Sequence, residues 1–247
     1  MNVSRVWRTV RHLTAEQWLY RAICRGRRGV MQTFPGVTRW RIRRAADRLP
    51  QPDPCSAPLA DIARIVLSLQ TAVHGDDPAG VAEGRFTLLN RDFDFGGADA
   101  IDWRGEFHEG NNPLRRMNLA YMGYAVPLLA HGRAPDLAAV LAILHSLEAQ
   151  NPFAAKTVFR DVWNAYTASH RLINLLSGLA LYRAAGGVVD AAAEKALLDH
   201  ARFCAAFIKA NLERDLQYNH LLKNYVALAV FASASGGLPA GFGFLDT

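Results

Sequence analysis

The chain has 247 residues, 51% of them apolar and 20% charged. That is enough to bury a sizeable core without help from disulfides or metals. Its most apolar stretch, residues 226–234, falls far short of the roughly 20 residues a membrane-spanning helix needs. Cys24, Cys55 and Cys204 are odd in number and widely spaced, so they form neither a CxxC pair nor a disulfide framework. The net charge of +6 is unevenly spread: residues 1–48 hold twelve arginines against Glu16 and Asp47, a balance of +10 that leaves −4 for the rest.

In chain order, residues 4–31 read as basic helix ending near Gly29, with Arg5, Arg8 and Arg11 on one side. Arginines interleaved with Trp7, Trp18 and Trp40 are one signature of nucleic-acid binding. Contact with an anionic surface, such as a membrane or an acidic polymer, is the expectation instead, and nucleic acid is not expected as a partner. No apolar core of about 7–15 residues follows the N-terminal charge, so no secretory leader is read. As written, the chain belongs in the cytoplasm; a start further upstream would open the periplasm.

Pro50, Pro52, Pro54 and Pro58 deny a helix its N–H donors and mark a linker. The expected division is a basic helical segment at 1–49 and a helical domain at 50–247. Residues 59–73 read as a short amphipathic helix, and 84–103, rich in Gly, Asp, Phe and Asn, as a short strand or loop excursion. From 113 onward the pattern is helical: 114–130 interrupted at Pro127, 136–148, 167–185 ending at Gly186-Gly187, and 192–212. In the last of these, Leu197, Ala201, Cys204, Phe207 and Leu212 share one side, and Lys195, Asp199, Arg202, Lys209 and Glu213 the other. Residues 220–234 are apolar nearly all round, which suits a helix inside an assembly, with Asn219, His220, Lys223 and Asn224 crowding its start. Helices joined by Gly/Pro turns suit antiparallel hairpins stacked side by side, and periodicity alone does not choose between bundle, solenoid and ring.

Four local signatures occur in one order: Phe86-Thr-Leu-Leu-Asn90 with Ile101-Asp102-Trp103; Arg116-Met-Asn118-Leu-Ala-Tyr121; Trp163-Asn-Ala-Tyr166-Thr-Ala-Ser169-His-Arg171-Leu-Ile-Asn174; and Tyr218-Asn219-His220-Leu-Leu-Lys-Asn224. Together with the opening Trp7-Arg-Thr-Val-Arg-His-Leu, this succession resembles the N-terminal part of heparinase II/III-like polysaccharide lyases, over about residues 5–235. The resemblance implies an all-α fold, an incomplete α/α toroid of antiparallel hairpins with a basic helical N-terminal extension. It also implies β-elimination on acidic polysaccharides of the heparin, heparan or alginate kind. A base removes the proton on C5 beside the uronate carboxylate, and the C4–O4 bond breaks. Donors must stabilise the enolate-like dianion, and an acid must reach O4.

By the same resemblance, Asn219 donates to the uronate carboxylate and His220 supports that charge or acts as base. Arg171 offers a cationic fork, and Trp163, Tyr166, Asn118 and Tyr121 line the groove. No cofactor is expected, and His108 and His145 lack metal-ligand spacing. Plainer readings stand beside these. Asn219 is a good helix N-cap, His220 a hydrogen-bonded histidine, Arg171 the partner of a structural carboxylate, and the aromatic residues core. The sequence departs from the family pattern by ending at Thr247, before the family's catalytic tyrosine and C-terminal β-sandwich. A fragment without cleavage activity is expected, with an apolar side of its last helix left uncovered. The alternative is a non-catalytic helical module that binds an anionic glycan or a partner protein. A glycoside hydrolase would need a spaced carboxylate pair that the helical region does not offer.

Overall fold

The computed structural model describes residues 14–105, 113–216 and 218–237, and the protein is mostly helical. The helices are α1 (Ala15–Thr33), α2 (Pro35–Asp47), α3 (Ala57–His74), α4 (Leu114–Tyr121), α5 (Ala125–Leu129), α6 (Ala134–Gln150), α7 (Ala165–Ala184), α8 (Ala191–Ala210) and α9 (Asn219–Ala234). Between α3 and α4 runs a small hairpin, β1 (Arg85–Thr87) and β2 (Asp92–Asp94), paired antiparallel with Phe86 opposite Phe93. Phe86 is buried and meets Phe95 and Tyr124 edge-on, which is how the hairpin is fastened to the helices. Among the described residues no strand follows Asp94.

Local chemistry explains where the helices start. Thr14 and Gln17 form a capping box at α1. Asn164 accepts from the Thr167 amide at α7, and Asp190 from the Ala192 and Ala193 amides at α8. Proline stands in the first turn of α2, α3 and α6, where its missing N–H costs nothing. The same reason corrects one boundary. The break expected at Pro127 falls instead at Met122, which turns left-handed (φ 55°) to close α4. Pro127 then sits in the first turn of α5, where no intrahelical donor is needed. Residues 4–13 of the expected N-terminal helix lie outside the described residues.

α7 is the hub. It packs against α3, α4, α5, α8 and α9, while α3 also touches α5 and α9. Leu172, Leu175, Leu176 and Leu179 are buried in it, each burial stabilising by about 1.5–3 kcal/mol. α5 comes so close that a Cβ on Gly178 would meet Leu129 Cδ1 at 3.0 Å and the Ala125 carbonyl oxygen at 3.3 Å. α8 lacks a free polar side over its second half because α2 covers it. Arg202 donates to the Ala46 carbonyl, and Met31, Ile42, Ala46 and Leu49 join the same apolar core. α9 is buried through Ala227, Leu228, Val230 and Phe231, yet leaves Leu222 and Val226 exposed one turn apart.

Candidate functional site

Two polar constellations flank α7 near its start. The first gathers the ends of three helices. Tyr121, last residue of α4, stacks on His170 of α7 with ring centres 4.3 Å apart. Tyr166, one turn before His170, meets it edge-on at 4.8 Å and lies 4.3 Å from His220 in the first turn of α9. All four rings are half-buried. Spacing explains the α7 pair, since residues four apart share a helix face.

The loop after α8 completes this cluster. The buried Glu213 holds its carboxylate 3.4 Å from His220 Nδ1, and its amide donates to Asn224 Oδ1. Asn224 Nδ2 in turn donates to Ser169 Oγ, so Asn224 and Ser169 tie loop, α9 and α7 together from within the core. Lys223 stands close enough for its charge to act on His170.

Electrostatics follow from this half-buried setting. Burial, helped by the Lys223 and His220 charges, pushes His170 down to about 3, so its imidazole is neutral at pH 7. Its Nε2 has no hydrogen-bond partner among the described residues. Burial, then Tyr166 and Glu213, raise the Tyr121 phenol, which keeps its proton. Burial also raises the Glu213 carboxyl, against the pull of His220 and Asn224, and lowers Lys223. A neutral base, a protonated phenol and a nearby ammonium thus share one surface.

Arg171 belongs to a second constellation. Its side chain is fully buried and donates from Nε to His200 Nε2 (3.0 Å) and from Nη1 to the Ala120 and Val162 carbonyls. Because arginine does not lose its proton, His200 Nε2 must accept, which puts the imidazole proton on Nδ1, 2.6 Å from Glu148. Burial disfavours the Glu148 charge, but the His200 contact and Arg171 hold its carboxyl below its ordinary value.

Trp163 is buried beneath Arg171, 4.8 Å from guanidinium carbon to ring centre, and donates to the Asn151 carbonyl among Phe153, Phe203 and Phe207. Arg171 and Trp163 are both buried and stand apart from the four-ring cluster. The guanidinium is held by three protein acceptors and lies over Trp163, with Nη2 unpartnered among the described residues.

Of the other expected residues, Asn219 is exposed at the first position of α9, and the N-cap is Tyr218, with no side-chain cap bond. Asn118 is partly exposed one turn before Tyr121 and donates to the Leu114 carbonyl of its own helix. His170, Glu213 and Lys223 had no role in the sequence reading. The signal for His170 is its spacing of four from Tyr166; Glu213, expected on a helix's polar side, is instead buried just past the end of α8.

Among the described residues no group of three or more His, Cys, Asp or Glu is placed to hold a metal ion, and no helix is long and apolar enough to cross a membrane. A cavity of about 630 Å³ lies elsewhere, between the β-hairpin and the end of α3, lined by His74, Arg85, Asp92 and Tyr124, and includes none of the cluster residues. Comparison with protein families, with curated proteins and with solved structures finds no match.

Proposed function

We propose that the chain carries the helical part of a uronate-polymer lyase, on an arc of an α/α toroid in which α7, α8 and α9 are successive hairpin helices. The observation that carries this reading is the cluster of Tyr121, Tyr166, His170 and His220 at the joined ends of α4, α7 and α9. β-Elimination needs a neutral base beside a weakly acidic C–H, a proton donor for the leaving oxygen, and positive or dipolar groups at the carboxylate.

His170 is the neutral base in this reading, ready to accept at neutral pH because burial keeps its proton off. Tyr121, whose phenol stays protonated, is the donor candidate. His220, Lys223 and the exposed Asn219 provide donors for the anion, and the ring faces of Tyr121 and Tyr166 suit the apolar side of a sugar. Arg171 takes a positioning role, since its bond to the Ala120 carbonyl braces the residue just before Tyr121.

The test is binding of heparin- and alginate-derived oligosaccharides to the chain by calorimetry, with absorbance of the unsaturated product followed in the same samples. Expected are weak, salt-sensitive binding and its loss in His220→Ala and Tyr166→Ala, with unchanged thermal melting. Where turnover is detected, His170→Ala lowers it by about 10²–10³-fold, the usual scale for losing a group that acts in the transition state. Binding that survives both substitutions would place the glycan elsewhere; binding without turnover is the non-catalytic module.

A further inference from the structure

α1 is docked on the protein yet keeps an apolar stripe in water. The side facing the body is largely polar. Tyr20 accepts a hydrogen bond from Arg214 (2.9 Å), Cys24 Sγ lies 3.6 Å from Asp215 Oδ1, Arg27 donates to the Ala210 carbonyl, and Met31 alone is buried. A flank beside it is apolar and faces water: Trp18, Leu19, Ile23 and Val30 are 45%, 59%, 41% and 58% exposed. At 100° per residue these four fall on one arc, and Phe34 and Trp40 continue the exposed apolar surface into α2.

Arg21, Arg25 and Arg28 border that arc on one side, and among the described residues none has an acidic partner. Over residues 14–48 nine arginines face two acidic residues. An apolar stripe with an arginine border is the pattern of a helix lying in a lipid–water interface. A polar polyanion would use the arginines and leave the stripe in water. A second copy meeting stripe to stripe would bring the two arginine borders together.

We propose that α1 lies in the plane of an anionic phospholipid bilayer. Trp18, Leu19, Ile23 and Val30 enter the acyl boundary, and Arg21, Arg25 and Arg28 meet the headgroup phosphates. Through Tyr20, Cys24 and Arg27 the helix is bonded to residues 210–215, the segment that supplies Glu213 to the His220 cluster. Membrane attachment therefore sets that cluster beside the bilayer, whatever substrate it takes.

The test is flotation of the purified full chain with vesicles of phosphatidylcholine alone and of phosphatidylcholine containing about one-third phosphatidylglycerol, both with brominated acyl chains to quench tryptophan on contact. The chain is expected to float with the anionic vesicles, with tryptophan emission quenched, and to bind the neutral ones far more weakly. Ile23→Glu lowers anionic binding by at least about tenfold, and the triple Arg21→Gln, Arg25→Gln, Arg28→Gln variant by about a hundredfold. All four positions face solvent at least in part, so circular dichroism melting should stay as in the unaltered chain. Absence of flotation overturns the proposal. So does flotation indifferent to Ile23→Glu, the behaviour of charge attraction alone that soluble heparin would equally compete away. A lipid-free dimer that buries Trp18 would overturn it as well.

Discussion

His170 and Arg171 are neighbours on one helix, and the two constellations they anchor differ in kind. Arg171 points into the core and donates from Nε and Nη1 to His200, the Ala120 carbonyl and the Val162 carbonyl, with Nη2 unpartnered among the described residues. His170, about 100° round the helix, lies half-buried between two tyrosines with Nε2 unpartnered among the described residues. A fully buried polar network tied to backbone carbonyls holds a fold in one arrangement, because each member removed leaves others unpaired. A half-buried, incompletely satisfied group has been given a perturbed protonation state with no structural return in view, and that is the better candidate for chemistry. The more basic, more strongly held residue is thus the weaker candidate for chemistry.

The comparison breaks most visibly at Arg171. Arg171→Met keeps much of the volume but strands two carbonyls and His200 Nε2, and a cost of about 3–5 kcal/mol is expected by urea unfolding. A loss below about 1 kcal/mol would show that the network does not hold the core as argued.

The pH dependence of stability sharpens the other half. His170 titrates at about 3 in the folded protein against an ordinary 6.5. Between those values the unfolded chain binds more protons, so its contribution is intact above pH 6.5 and is lost as pH falls towards 3. At 1.36 kcal/mol per unit, pH 5 lowers stability by about 2 kcal/mol relative to pH 7. Glu213, raised by burial, titrates with the opposite sign. The quantity to read is therefore the difference between the unaltered chain and His170→Gln, whose profile should be flatter by that amount. Parallel profiles would mean that His170 is not shielded in solution.

The smallest effect tests the shared support. Asn164 caps α7 by accepting from the Thr167 amide (2.7 Å), and also donates to the Asp161 carbonyl. Asn164→Ala should cost about 1 kcal/mol. Because Tyr166 stands in the turn it caps, oligosaccharide binding should weaken severalfold more than the stability loss explains. Equal binding in the folded fraction would show that Tyr166 is placed by its ring contacts alone.

Much of the helical plan was legible in the sequence because its signals are local. Gly186-Gly187 as a stop acts through backbone groups within a few residues of itself, as do the caps Asn164 and Asp190 and the first-turn prolines that the structure adds. The gathering of Tyr121, Tyr166 and His220 was foreshadowed by their motifs, whereas Glu213, which the periodicity puts on the polar side of a helix, lies buried in the loop after Ala210. Sidedness was where reading along the chain failed. Composition shows that α1 is basic and apolar by turns, but only its docking through Tyr20, Cys24 and Arg27 turns the apolar side outward. Residues 195–209 show a polar side, but only the packing of α2 against α8 decides that its second half is covered. Whether Arg171 meets a ligand or the core depends on Ala120, Val162 and His200, up to 51 residues away in sequence. Local chemistry by itself decided that most of these segments are helical, though not every boundary, as Met122 and Thr33 show. Which face of each helix is buried was left to tertiary contacts, because burial depends on what a face meets.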